Sequence, residues 1–529
     1  MIQALPFIAI IPIVVVLILM GVFSWPAKKV MPIAAIISIL IARLIWGMHL
    51  NWVNASIISG TLIAFEIILI VFGALLLIAV MQKSKKIDVI ISNLTSISPD
   101  SRVIVIIVGW AFVCFLEAIA GFGTPTAIVA PLLVALGFPA IAAVSIPLIF
   151  DSVPVTFGAV GVPINHGIPT AIQGISQEML MEVTLYSALF HGVVGLFLPL
   201  ATLGMLTRYF AKEKSWKLGF GAWKFALLGS VSFVVPYVLT AWLIGPELPS
   251  IIGSLVCLAV TITFAKKKWL MPKTVWHYKH TPAKKVGAKE SILAWMPYGL
   301  VATILIATRI PALGLQALVR SVQITFTNIL GTSITYANPI LYNPGTIFVV
   351  VALFCAALFK VSFKDTIRLV DDTIFKLIPA TITLVFTIIL VRVLLNSGAN
   401  ASGFESMILI PAEALANTLG ISWYAFAPFI GSLGSFISGS NTVSNILFAA
   451  FQQGVALNLG TSVALVLALQ AVGGGIGNMI CIHNIVAGCS TVGMNGQESK
   501  VLRTTLVPSL VYAAIVGLLG LLAVLFIIV

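Results

Sequence analysis

Apolar runs long enough to cross a bilayer follow one another along this chain, with only short polar loops between them. A hydrocarbon core of ~30 Å needs about 20 residues of helix, and inside it every backbone group must be satisfied internally. The series of runs therefore predicts an all-α polytopic membrane protein with about 14–16 membrane segments. Composition agrees: 60% of the 529 residues are hydrophobic and 9% are charged, with a mean hydropathy of +1.14. The longest strongly polar stretch, about 266–290, is too short for a second globular domain, so 1–529 reads as one integral membrane domain. The run 2–24 has no basic region before it and is followed by "PAKK"; it reads as a first membrane helix, not a cleaved leader.

The net charge of +13 does not point to nucleic acid, because the basic residues sit in short loops. Lys28 and Lys29, Lys83, Lys85 and Lys86, Lys212 and Lys214, the loop 266–290, and Lys364 and Arg368 all follow odd-numbered runs. Loops 163–183, 245–248 and 396–421 contain no Lys or Arg. Basic loops resist translocation, so they are placed in the cytoplasm and both termini outside. Anionic lipid headgroups are the partner such loops attract. Cys114, Cys257, Cys355, Cys481 and Cys489 lie in or beside apolar runs with no CxxC pair, and read as buried small hydrophobes. Cys481, His483 and Cys489 lack a fourth ligand at zinc spacing, so no metal is expected. With no Walker, HExxH or GxSxG pattern, neither a cofactor nor an enzyme activity is expected.

Two stretches match across the chain. "AIAGFGTPTAI" (118–128) resembles "FISGSNTVSNI" (436–446), setting Gly121 against Gly439, Thr124 against Thr442 and Ile128 against Ile446. Upstream, "VFGALLLIAV" (71–80) resembles "VFTIILVRVL" (385–394), and with one more gap Asp151 falls opposite Gln470. On the loop-charge count the two copies run in opposite directions, so repeat 1 (about 56–206) and repeat 2 (about 374–529) are predicted to be inverted. Inverted repeats with broken helices and a site near the midplane are the pattern of secondary transporters. The runs near 123–138 and 442–457 are short for a full span and suit half-helices or re-entrant elements.

The matched stretches carry the chemistry. Unwound backbone inside a membrane is tolerated where it is buried in protein or lines a wet cavity. Gly121, Gly123 and Gly439 permit the break; Thr124, Ser440, Asn441 and Thr442 can cap the helix that restarts. The freed N–H groups and the positive helix end would hold a small carboxylate. Tight packing of small residues is the competing explanation for either stretch alone.

Ionisable residues inside the apolar runs are costly and face an interior or a pathway. Glu117 lies about one turn before Gly121, and Asp151 lies between Pro147 and Pro154. A dry site favours the neutral carboxyl, so either is a candidate for the coupling proton; a structural ion pair is the alternative for each. Glu66 is more simply a structural acid, with Arg43 or Arg392 to neutralise it. Arg392 can hold a carboxylate through two hydrogen bonds or pair with a buried acid. Gln470, Asn478, His483 and Asn484, around the run "GGGIG", add polar groups to some interior. His166 and His191 read as hydrogen-bonded packing residues.

The stretch 117–164, beginning "EAIAGFGTPTAIVAP", resembles a signature of the lactate permease family. "SGSNTVSNILFAAFQQ" and "QAVGGGIGNMICIHNIVA" resemble its C-terminal signatures, and the similarity covers nearly the whole chain. The resemblance implies a prokaryotic plasma-membrane importer of L-lactate, D-lactate or glycolate coupled to protons. It also implies membership of the wider ion transporter superfamily, where Ser-Asn-Thr motifs mark helix breaks and the core moves as an elevator. Ser440, Asn441 and Thr442 match that motif; Phe122, Gly123 and Thr124 keep only the Thr, which argues against a symmetric pair of sodium sites.

The expected function is proton symport of a small 2-hydroxymonocarboxylate. Gly121, Gly123, Thr124, Gly439, Ser440, Asn441, Thr442, Arg392 and Gln470 are the expected substrate-binding residues, and Glu117 and Asp151 the proton-coupling ones. A sodium-coupled di- or tricarboxylate carrier and an anion channel are the alternatives. The sequence does not choose among the lactate enantiomers and glycolate, and does not give the oligomeric state.

Overall fold

The computed structural model describes residues 4–526 apart from 24, 122, 173, 279–286, 310–313 and 495. Phe122 and part of the basic loop 266–290 therefore lie outside the described residues. Ten described helices are long and apolar enough to cross a membrane, or eleven with the bent pair Ala140–Asp151 and Pro154–Ala171. Leu5–Met20, Thr124–Ala135 and Pro344–Leu358 are shorter apolar helices. The chain is a multi-pass helical membrane protein.

The elements that build the site are labelled here in chain order. They are α1 (Leu50–Lys83), α2 (Ser101–Ile119), α3 (Thr124–Ala135), α4 (Ala140–Asp151), α5 (Gln177–Gly195) and α6 (Phe363–Asn396). The remainder are α7 (Trp423–Ser438), α8 (Asn441–Asn458), α9 (Val463–Gly477), α10 (Ile482–Thr491) and α11 (Glu498–Phe526).

Two groups of helices can be followed from their packing. In the first, α1 and α6, each of 34 residues, lie against each other and, at about 50 Å, exceed the bilayer core. Their backbones come close: a Cβ on Gly60 would meet Ile389 N at 3.1 Å; on another face of α1, a Cβ on Gly73 would meet Gly345 O, from the helix Pro344–Leu358, at 2.6 Å. Without a hydrophobic drive between helices in lipid, such small-residue contact is what holds them. The second group surrounds α2, which is buried on all sides, as a helix apolar all round must be. Its stretch Val105–Phe112 is wound as a π-helix, and Trp110 anchors it by donating to Gly229 O at 3.2 Å. Trp223–Leu243 and Pro249–Lys266 pack on α2; elsewhere in the group α3 packs on α4, α7 and α8 on α9, and α11 on α7.

Four helices of this second group stop inside the protein. Residues 120–123 separate α2 from α3, and Gly439–Ser440 separates α7 from α8. Both breaks fall in the matched stretches 118–128 and 436–446. Past α4 the chain forms the tight turn Pro154–Phe157 and bends by 55°. Past α9 it turns through Asn478–Ile480 into α10. One outer element was not expected: the loop 311–343 carries a two-stranded hairpin, Gln323–Phe326 with Tyr336–Pro339. The first strand is exposed throughout, so no buried face patterned the sequence there.

Candidate functional site

The four interruptions meet around one cavity. Glu117 and Gly121 come from the first break, and Val155, Gly158, Ala159 and Pro163 from the segment after α4. Gly439 to Thr442 come from the second break, and Asn478 from the turn after α9. The space is about 20 Å³, room for roughly one water, so admitting a molecule the size of lactate requires the breaks to part.

At the second break, Gly439 adopts φ +79°, and an added Cβ would lie 3.1 Å from His483 Nδ1. Ser440 caps α8, its hydroxyl accepting from Val443 N at 3.4 Å. Asn441 Nδ2 donates to Ala471 O at 3.0 Å and to Thr156 Oγ1 at 3.2 Å. Further along, Ser444 donates to Gly431 O at 2.7 Å and Asn445 to Pro163 O at 2.9 Å. The side chains of Ser440, Asn441, Ser444 and Asn445 thus brace the break. The N–H groups of Asn441 and Thr442, in the first turn of α8, have no intrahelical acceptor, and both residues line the cavity. Those donors, with the helix dipole behind them, suit an anion.

The first break is not its chemical equal. Thr124 turns both its N–H and its hydroxyl back to Gly121 O, at 3.1 and 2.8 Å, and Pro125 has no N–H to offer. Gly123 faces Asn484, whose Oδ1 would lie 2.6 Å from an added Cβ. Of the three residues expected here to bind substrate, Gly121 lines the cavity, while Gly123 and Thr124 stand behind it. What the first break adds to the cavity is an acid. Glu117 is buried, and its Oε1 lies where a Cβ on Gly158 would stand at 2.3 Å.

Glu117 and Asp151 are both buried, as neighbouring carboxyls. Glu117 Oε2 and Asp151 Oδ1 meet no donor among the described residues. A carboxyl pair with two such oxygens suits one proton held between them. Asp151 Oδ2 accepts from Asn478 Nδ2 at 2.8 Å, and Asn478 Oδ1 accepts from Asn484 Nδ2 at 2.8 Å. The acid pair is thereby fastened to the turn after α9.

Two expected residues lie elsewhere. Arg392 Nε donates to Ser59 Oγ at 3.2 Å, in the contact between α1 and α6. Gln470, about two turns before the end of α9, donates to Ser444 Oγ and accepts from Gln452 Nε2, both at 3.0 Å. Neither lines the cavity. Asp151 closes α4 and is bonded to Asn478, just past the end of α9. Glu66 lies 3.4 Å from His166 Nε2, while Arg43 donates to Met48 O at 2.8 Å; of the two arginines offered to neutralise Glu66, Arg43 or Arg392, Arg43 is turned elsewhere. All five cysteines are buried free thiols, and among the described residues no group of three His, Cys, Asp or Glu could hold a metal.

The segment after α4 was missed as part of the site. Ala159, Val160 and Gly161 run consecutively in left-handed backbone, at φ 44°, 61° and 75°. A β-branched residue there is a real outlier, costing of order 1–3 kcal/mol, and such strain concentrates at functional sites. The density of Pro and Gly in "VPVTFGAVGVP" was the signal. Asn478, directly after "GGGIG", was noted only as facing some interior.

The family model for L-lactate permease matches residues 6–527. A putative L-lactate permease of Haemophilus influenzae is 32% identical over 506 residues, 90% of this chain and 92% of that protein. The L-lactate permease of Escherichia coli K12 is 30% identical, over 91% and 89% of the two chains. The glycolate permease GlcA of the same organism is 29% identical, over 97% and 95%. Among solved structures, the YdaH transporter of Alcanivorax borkumensis aligns over 86% of this chain and 85% of its own, with 15% identity and a TM-score of 0.44.

Proposed function

This chain belongs to the L-lactate permease family, a membrane transporter and not an enzyme, and from that premise we propose that it carries lactate, or glycolate, together with protons. The setting is the plasma membrane of a prokaryotic cell. One observation carries the reading: the α8 N-terminus and the Glu117 carboxyl line the same cavity.

The consequence is electrostatic. A substrate carboxylate held by the N–H groups of Asn441 and Thr442 shares a dry cavity with Glu117. Two anions at such a distance in low dielectric repel strongly. Substrate therefore binds well only when Glu117 carries a proton, and a protonated Glu117 can also donate to the substrate's 2-hydroxyl or carboxylate. Asp151 stores or passes that proton through its contact with Glu117. Loaded with both, or with neither, the cavity holds the same single negative charge; substrate without the proton would put two negative charges in a dry site, so substrate crosses only with a proton. That rule is symport.

Gly121, Gly439, Ser440, Asn441 and Thr442 form the substrate wall. Gly123, Thr124 and Gln470 act from behind it as braces, while Arg392 holds the contact between α1 and α6. The two breaks belong to inverted repeats, about 56–206 and 374–529, and the core that carries them moves against the α1–α6 group as an elevator. This last step rests on the superfamily resemblance.

Purified protein in liposomes loaded with a pH-sensitive dye tests the reading. Adding L-lactate outside acidifies the lumen with no sodium present, and glycolate competes. Lactate uptake that requires a sodium gradient, or that moves no protons, overturns it.

A further inference from the structure

The hydroxyl of Thr156 is a junction. It lies in the turn between the cavity residues Val155 and Gly158. Asn441 Nδ2 stands 3.2 Å from it, His191 Nε2 2.8 Å and Ala471 O 3.2 Å. On the far side of the imidazole, His191 Nδ1 is 2.6 Å from the hydroxyl of Tyr512. The line runs from α11, through α5, to the turn after α4 and the first residue of α8. Thr156, His191, Tyr512 and Asn441 are all buried. Of the four, Asn441 alone lines the cavity.

Counting donors fixes the direction of the line. A hydroxyl offers one proton and two lone pairs. The Asn441 amide donates, so it takes one lone pair. Ala471 O accepts, so it takes the proton. The remaining lone pair faces His191, which must therefore carry its proton on Nε2. His191 Nδ1 is then an acceptor, and the Tyr512 hydroxyl donates to it. The opposite tautomer would leave the Tyr512 proton without an acceptor among the described residues, which a fully buried hydroxyl tolerates poorly. Tyr512 thus holds His191, His191 holds Thr156, and Thr156 holds the amide that sets the first turn of α8. Gly475 makes room for the junction: a Cβ there would stand 2.9 Å from Thr156 Oγ1 and 3.2 Å from His191 Cε1.

We propose that His191 and Tyr512 are positioning residues for the substrate site, holding the Asn441 amide through Thr156 so that the N–H groups opening α8 stay aimed at the substrate carboxylate. The proposal rests on the assignment of the carboxylate to the α8 N-terminus. Neither residue touches substrate, so their loss loosens binding without touching the coupling acids. A partner outside the line would change folding or overall activity; a partner in it changes affinity, and only as long as Asn441 is present to be held.

The test is L-lactate counterflow in proteoliposomes, where maximal rate and half-saturation are read separately. His191→Leu raises half-saturation about tenfold, the loss of one buried hydrogen bond, with the maximal rate changed by less than about twofold. His191→Gln, whose amide can still donate to Thr156, recovers most of the affinity. Tyr512→Phe leaves the ring in place but frees it to turn, and raises half-saturation by about three- to fivefold. In the Asn441→Ala background, His191→Leu adds nothing further. Half-saturation unchanged in both His191→Leu and Tyr512→Phe overturns the proposal, as does a His191→Leu effect that multiplies with Asn441→Ala. If His191→Leu does not fold, Tyr512→Phe decides alone. Asn441→Ala with wild-type lactate affinity would instead sink the carboxylate cradle, whatever the His191 variants do.

Discussion

Glu117 sits where a buried acid has least room to be avoided. Gly158 and Gly121 both border its Oε1, and a Cβ on Gly158 would come within 2.3 Å of it. Gly158→Ala must therefore push the Glu117 carboxyl off the cavity wall or distort the turn. Lactate uptake should fall at least about tenfold, because misplacing a reacting or coupling group by an ångström costs that much or more; uptake within twofold of wild type in this variant would show that Glu117 has no fixed place in the cycle. At this scale the sequence was partly legible. Glu117 and Asp151 stood out because acids are rare in apolar runs. Gly158 did not, since its role depends on a carboxylate that arrives from 41 residues earlier in the chain. Arg392 stood out for the same reason as Glu117, yet it lies in the α1–α6 contact away from the cavity. Rarity marks a buried charge as costly without saying which interior it faces.

Among the elements, the difference between α3 and α8 is the point that sequence matching concealed. The stretches 118–128 and 436–446 align and both hold a break, but Pro125 and the inward-turned Thr124 leave α3 few donors, while α8 opens with free N–H groups. Conformational role is carried by Gly, which the match preserved. Donor supply is carried by the residues around it, which differ. The cap on α8 can be weighed directly. Ser440→Ala removes the acceptor for Val443 N and should destabilise by about 1 kcal/mol, while Ser440→Gly should cost only a few tenths. In detergent the midpoint of thermal unfolding should rank wild type, Gly, Ala in descending order, with lactate half-saturation following the same rank. An Ala variant as stable as wild type would mean that bracing from Asn441, Ser444 and Asn445 suffices without the cap.

Across the whole molecule, polar contacts link elements that are far apart in the chain. Glu66 on α1 meets His166 at 3.4 Å, in the segment that follows the left-handed turn. Arg309, from the helix Ala288–Arg309, meets Glu247 at 2.9 Å and also donates to Thr308 and to Tyr342 O. The Arg309 side chain is 2% exposed, so Glu247→Ala leaves a buried guanidinium short of its anion and should lower stability by on the order of 3 kcal/mol. The Lys83–Asp365 pair is exposed at 47% and 39%, and Asp365→Asn should leave the unfolding midpoint where it was. Thermal unfolding of the two variants side by side checks the contrast; equal effects would contradict it. The membrane class and the run of spanning helices were legible at this scale because bilayer thickness sets helix length. The partners of Glu66 and Arg309 were not, because both pairs are made across the fold by residues that no local spacing links. The hairpin at 323–339, whose first strand is exposed, left no periodic trace either.

Proton coupling through Glu117 is the claim on which the rest depends, and Glu117→Gln in proteoliposomes tests it most directly. Gln keeps the shape and can still donate a hydrogen bond, but cannot release a proton. The variant should exchange L-lactate in counterflow at a rate within about threefold of wild type, and should fail to accumulate lactate when an inward proton gradient is imposed. Gradient-driven accumulation at the wild-type level would contradict the account.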